Sequence, residues 1–356
     1  MDGWFVALLT QGGVGAGPAT AELFRGDVVD LGPIDSGEDR ELGDRVSRAV
    51  IYESFGGPEV LELRDVAEPH AGPGEVRIRV AAVGLNPMDW MLSSMPALAA
   101  SFGVTPPAGF GQDLAGVVDE VGAGVAGFSV GDRVFGSALG RAVADVAVVK
   151  VAVVKLDEAP LRHTPAGISD EVASTLCVAG LTADAALHAI GLRDGDTVLI
   201  GGAAGGVGVF AVQLARLAGA TVIGTGSAGT AEFLRQLGAR PVTYGPGLVE
   251  RLRALAPPRI TAATALVGTE TVAAALMLGV APRRISTIVA GPPQPTGVRT
   301  TGAIDATPVA LERITDAIAG GRLVVPVAAS FPIEQIREAV TLQRSGHVHG
   351  KVVITL

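Results

Sequence analysis

The residues with the most specific chemistry lie in one run, Val198-Leu199-Ile200-Gly201-Gly202-Ala203-Ala204-Gly205-Gly206-Val207-Gly208. An apolar, strand-like stretch enters a glycine turn, and a helical pattern follows at once. That context suits a dinucleotide. Gly205 lets the main chain approach a pyrophosphate, and Gly208 lets the helix pack close to the strand. The helix N-terminus offers unpaired N–H groups with a partial positive charge. Ala203 occupies the first position of the common G-x-G-x-x-G spacing. The predicted contacts are Ala203, Ala204, Gly205, Gly206, Val207 and Gly208, with Val267 as a further contact at the end of a later extended run.

The choice of dinucleotide rests on an absence. An acid about 20 residues after the loop usually holds the ribose 2′-hydroxyl of NAD, and Val209 to Ala231 contains none. The next strand ends in Gly224-Thr225-Gly226-Ser227, so nothing there repels a 2′-phosphate and NADPH is expected. No Lys or Arg lies between Leu217 and Leu234, which leaves Ser227, Tyr244 and backbone N–H groups to hold that phosphate. Tyr244 reads equally as an aromatic closing a strand end.

Metal chemistry lacks ligands. A tetrahedral site needs three or four Cys, His or carboxylate groups, and Cys177 stands alone while His70, His163, His188, His347 and His349 are scattered. No metal is expected. His347 and His349, two apart on an expected strand, read as a solvated pair. Cys177, in an apolar helical run, reads as a small core residue. Asp89 reads as a structural hydrogen-bonding acid rather than a proton donor.

The elements that must position these groups form two patterns. From Arg48 to Val83 the pattern is β: Ala49 to Tyr52, Val60 to Leu63 and Glu75 to Val80, with turns at Gly56-Gly57-Pro58 and Gly72-Pro73-Gly74. Ala115 to Val118 and Val146 to Val149 add short strands. Beyond about residue 170, helices are predicted at Glu171 to Ile190, Val207 to Ala218 and Ala231 to Leu237. They alternate with strands at Thr197 to Ile200, Thr221 to Ile223, Pro241 to Thr243, Ala263 to Val267 and Ile285 to Val289. That rhythm is the βαβ unit of a parallel sheet. A helix from Pro308 to Ala319 then leads to Val324-Val325-Pro326 and the last strand, Lys351 to Thr355. The fold class is α/β, with a doubly wound parallel-sheet domain (173–307) inserted into a β domain (46–172 and 308–356). Residues 1–45 break the pattern and read as a poorly ordered extension, with Val46 a candidate start.

The bulk numbers agree with such an arrangement. The chain has 356 residues, 48% apolar and 18% charged, enough for two cores. A net charge of −9 without a basic block argues against nucleic acid or an anionic membrane as partner. No apolar stretch approaches the length of a membrane span, and a cytoplasmic protein acting on a small molecule is expected.

The segment from Gly111-Gln112-Asp113-Leu114-Ala115-Gly116 to Gly131-Asp132-Arg133-Val134-Phe135-Gly136 resembles a signature of the medium-chain dehydrogenases/reductases. So do Gly84-Leu85-Asn86-Pro87-Met88-Asp89, Ala179-Gly180-Leu181-Thr182-Ala183 and the terminal Gly350-Lys351-Val352-Val353. Within that family the pattern is similar to the zinc-independent quinone oxidoreductases and enoyl reductases. The resemblance implies a GroES-like catalytic domain with a Rossmann domain, NADPH in the cleft between them, and a homodimer. In the family's zinc alcohol dehydrogenases a Cys stands where Asn86 stands and a His where Gln112 stands. Their loss implies metal-free reduction of an electron-poor alkene or quinone, in secondary metabolism among other settings. The substrate is expected to be a small apolar conjugated carbonyl or quinone. By family position Asn86 is the catalytic candidate beside the nicotinamide or substrate carbonyl, or else a residue shaping the turn before Pro87. Thr182 is the contact to the nicotinamide ribose, and Lys351 is a cation near the cofactor or a strand-edge charge. Met91 stands where relatives often carry Tyr or Lys. That departure keeps a second reading open, a non-catalytic NADPH-binding or structural relative.

Overall fold

A computed structural model describes residues 46–151, 161–255, 259–289 and 293–356. The expected extension 1–45 lies outside the described residues. The described residues form two compact units: Val178–Ala328 with His347–Gly350, and residues 46–177 with Ala329–Gly346 and Lys351–Leu356.

In the second of these, strands β1 (Val46–Tyr52), β2 (Glu62–Ala67), β3 (Glu75–Leu85), β4 (Ala108–Gly109), β5 (Asp113–Val121), β6 (Arg133–Ser137), β7 (Val146–Lys150) and β8 (Leu161–His163) follow one another. β3 is the spine: it pairs antiparallel with β5 and β7 and, at its end, with the last strand of the chain. Its Val76, Ile78 and Val80 are buried on one face, so a one-residue slip there would turn them out, and a register shift between Val80 and Ala82 brings Val83 and Leu85 inside as well. The strand expected at Val60 to Leu63 starts later. Pro58 supplies a preset φ for a short 3-10 turn, Pro58–Val60, whose closing bond runs from Leu61 N–H to Pro58 O, and β2 begins at Glu62.

The other unit carries β9 (Thr197–Gly201), β10 (Thr221–Gly226), β11 (Arg240–Thr243), β12 (Ala262–Ala265), β13 (Ile285–Thr287) and β14 (Arg299–Thr300). All pair in parallel in the order β11-β10-β9-β12-β13-β14. β9 is buried throughout, as a central parallel strand covered on both faces must be. The helix expected from Glu171 to Ile190 is broken into Asp170–Ala173, a π turn at Leu176–Gly180 and Leu181–Ala189. At the break, the hydroxyls of Ser174 and Thr175 donate back to the carbonyls of Glu171 and Val172, competing with regular helix bonds. Helix Ala310–Ala319, expected with the β domain, packs in this unit, burying Ile314 and setting Arg313 on Asp184. The chain then adds β15 (Val327–Pro332), helix Ile336–Arg344 and β16 (Lys351–Thr355). Among the described residues no helix is long and apolar enough to cross a membrane.

Candidate functional site

β9 runs into Gly202, whose φ of +73° is a left-handed conformation that favours glycine. Two bonds tie the turn to β10: Gly202 N–H donates to Thr225 Oγ1 and Ala203 N–H to Thr225 O, each at 3.2 Å. Helix Gly206–Leu217 follows, capped by Gly205 in extended conformation. The bond from Val209 N–H to Gly205 O opens the helical ladder, so the N–H groups of Gly206, Val207 and Gly208 belong to the first turn, which has no intrahelical partners. The glycines differ in their surroundings. A Cβ on Gly208 would come within 2.3 Å of Gly202 O and 2.5 Å of Ala203 O, whereas one on Gly205 would meet nothing nearer than Gly202 O at 3.5 Å. The loop is packed tight beneath Gly208 and open at Gly205, a cradle that a pyrophosphate fits. Ala203 and Ala204 are buried, and Gly350 N–H, which sequence reasoning did not single out, donates to Ala204 O. Val267 is exposed over the turn, where its Cγ1 would meet a Cβ on Gly202. Thr182 is buried in the first turn of Leu181–Ala189.

At the far ends of β10 and β11, Ser227 caps a 3-10 turn and exposed Tyr244 donates its N–H to Gly226 O. A cation does stand here. Arg251, on helix Leu248–Ala254, donates to the carbonyls of Thr243, Tyr244, Gly245 and Pro246 at 2.8 to 3.2 Å. It lies outside the stretch just after β10, and the fold brings it from beyond β11. Glu270 accepts the N–H of Gly245, so the same loop also touches an acid.

In the β-rich unit, Asn86 caps helix Pro87–Ser94 and is buried. Its amide is fully engaged: Nδ2 donates to Gly84 O at 3.1 Å and to Asp113 Oδ2 at 3.0 Å, and Oδ1 accepts from Lys351 Nζ at 2.6 Å. Lys351 also donates to Leu85 O. Its expected alternative as a strand-edge charge does not hold, because β16 pairs with β3 and the side chain is 3% exposed. Burial lowers its pKa. Asp113, which sequence reasoning passed over, is wholly buried; a charged residue opening the apolar run Leu114 to Val118 was the available signal. Asp89 accepts the Asn86 N–H at 2.7 Å, and burial pushes its carboxyl up to about 7. Cys177 is buried and its thiol is raised by burial.

His347 and His349 are not on a strand; they precede β16, and His349 stacks on Phe233. Among the described residues no three His, Cys, Asp or Glu side chains gather as a metal site. The donor set around Asn86, an amide bridged to an ammonium, does not fit a zinc ion.

Residues 72–147 match the alcohol dehydrogenase GroES-like domain, and residues 241–354 match the zinc-binding dehydrogenase domain. In both matched domains the chain is similar to the medium-chain dehydrogenases/reductases, and within them to the quinone oxidoreductases. It is 40% identical over 197 residues to the quinone oxidoreductase of Pseudomonas aeruginosa, covering 54% of this chain and 57% of that one. The chain thus spans little more than half the length of the curated relatives it matches. Among solved structures, the CurK enoyl reductase is similar at 25% identity with a TM-score of 0.76, covering 87% of this chain and 99% of that one. A mycobacterial protein complexed with NADPH is similar at 27% identity with a TM-score of 0.73, covering 87% and 100%.

Proposed function

We propose that the protein is an NADPH-dependent reductase that works without a metal, transferring hydride to an activated C=C bond or a quinone. The observation that carries this reading is the contrast within the glycine loop: tight at Gly208, open at Gly205, with the first-turn N–H groups of a 12-residue helix beside the opening. Bound NADPH supplies the hydride. The residues that would hold it are Ala203 to Gly208 at the pyrophosphate, Ser227 and Tyr244 at the 2′-phosphate, and Thr182 and Val267 elsewhere along the cofactor. In the β-rich unit, Asn86 is assigned to the nicotinamide or the substrate carbonyl, where negative charge develops on oxygen as hydride arrives, and Lys351 is the cation near the cofactor. Lys351 donates to Asn86 Oδ1 and Leu85 O, and both Nδ2 N–H groups of Asn86 are held by Gly84 O and Asp113 Oδ2, so either residue reaches the reacting groups by shifting off one of these partners. Relatives described as quinone oxidoreductases and as an enoyl reductase support the two substrate classes.

The test is NADPH oxidation against a panel of enones and quinones, with and without chelator, alongside elemental analysis. Turnover that survives chelation, in protein without stoichiometric zinc, is expected. Tight NADPH binding with no turnover on any member would favour the non-catalytic reading. Activity lost together with one metal per chain would overturn the metal-free mechanism.

A further inference from the structure

The buried set around Asn86 contains two carboxyls, Asp89 and Asp113, and one amine, Lys351, all at most 4% exposed. Fully ionised it would carry a net negative charge among buried side chains, which is costly to hold. One bound proton makes it neutral. Hydrogen bonding indicates where that proton goes. Asp113 Oδ2 accepts from the Asn86 amide and Asp89 Oδ2 from the Asn86 N–H, while Asp89 Oδ1 is buried with no partner. A carboxylate oxygen left so is penalised; a carboxylic O–H at that atom is not, provided it has somewhere to point. Asp89 lines a narrow pocket of about 10 Å³ with Tyr52, Leu92, Val104, Phe110 and Leu139, room for about one water.

We infer that Asp89 is the proton-bearing member of this set, its Oδ1–H directed into the pocket beside Tyr52, and that in this neutral form it is the positioning residue that keeps Lys351 on Asn86. Ionised, Asp89 would compete with Asn86 for the ammonium and pull it away from its bond to Oδ1. The titratable groups facing Asp89 from the surrounding elements are Tyr52 on β1, Asp113 on β5 and Lys351 on β16; Asp113 in turn acts on Cys177 in the π turn. Tyr52 is itself raised to about 12 by burial and stays a neutral phenol. The effect on turnover rests on the function proposed above; the location of the proton does not.

Infrared difference spectroscopy of the full chain tests the location. A protonated-carboxyl C=O band near pH 6 that shifts in D2O, disappears in Asp89→Asn and persists in Asp113→Asn is expected. No such band, or one that vanishes in Asp113→Asn and survives in Asp89→Asn, overturns the inference. Thermal unfolding gives an independent readout. A carboxyl raised from 3.8 to about 7 in the folded state makes the folded protein bind the proton more tightly, so stability falls as pH rises between those values. Asp89→Asn keeps the acceptor for Asn86 N–H but cannot ionise, and that fall should be missing; an unchanged slope counts against the inference. In turnover, parent kcat/KM should decline above about pH 7 while the variant stays flat. A parent lacking both this decline and the infrared band contradicts the inference, whereas inactivity with the band intact contradicts only the proposed function.

Discussion

Gly205 and Gly208 lie in one loop yet meet opposite surroundings, so the same change should fail in two different ways. At Gly208 a side chain would drive into the carbonyls of Gly202 and Ala203. At Gly205 it would point into open space that a pyrophosphate is expected to fill. Gly205→Val should leave the melting temperature near the parent value and weaken NADPH binding at least tenfold. Gly208→Val should lower the melting temperature whether or not cofactor is added. Calorimetric titration and thermal scans on both variants check this, and equal binding losses with equal melting points would mean that the loop is only a turn. The glycine pattern was legible because each glycine has a backbone reason that sequence carries. The Asn86 set was half legible. Asn86 and Lys351 could be named from family position, but Asp113 and the burial of Lys351 could not, since both depend on β3 lying between β5 and β16.

At the level of elements, period and punctuation placed almost every strand of the parallel sheet, because buried β-branched runs bounded by glycine have few other readings. What escaped was local competition. Pro58 turned an apolar run into a 3-10 turn, and Ser174 and Thr175 interrupted a helix whose apolar spacing looked continuous. Long-range ties were equally invisible. Arg284 donates to the carbonyls of Ile190 and Gly191 just after helix Leu181–Ala189, and it pairs with Asp196 at 2.6 Å before β9. Asp196 also accepts from Thr261, which precedes β12. One guanidinium therefore joins a helix end to the entrances of two parallel strands. Arg284→Met should cost about 3 kcal/mol, because it leaves a largely buried carboxylate and two carbonyls short of donors. Urea denaturation with a probe in this unit measures it. A loss below about 0.5 kcal/mol would reduce the cluster to an ordinary surface pair.

The whole molecule carries a net charge of −9, which disfavours the more highly charged NADPH over NADH at long range. Preference for NADPH must then come from short-range donors, and the fold supplies few. Ser227 and Tyr244 offer hydroxyls, while four N–H groups of Arg251 are spent on backbone carbonyls, leaving mainly its charge to act. NADPH should therefore be favoured by about 1 to 3 kcal/mol, the range of one or two charge-assisted bonds. Gly229 is the place to widen the gap: it is exposed, and a Cβ there would meet only Ser227 Oγ at 3.9 Å, so an arginine fits without displacing the backbone. Gly229→Arg should raise the ratio of kcat/KM for NADPH over NADH about tenfold. Ser227→Asp sets a carboxylate against the phosphate and should bring that ratio below one. Opposite movement is the decisive feature, because damage to the fold would lower both cofactors together. If the parent treats them equally, or both variants shift the ratio the same way, the 2′-phosphate is not read at the ends of β10 and β11.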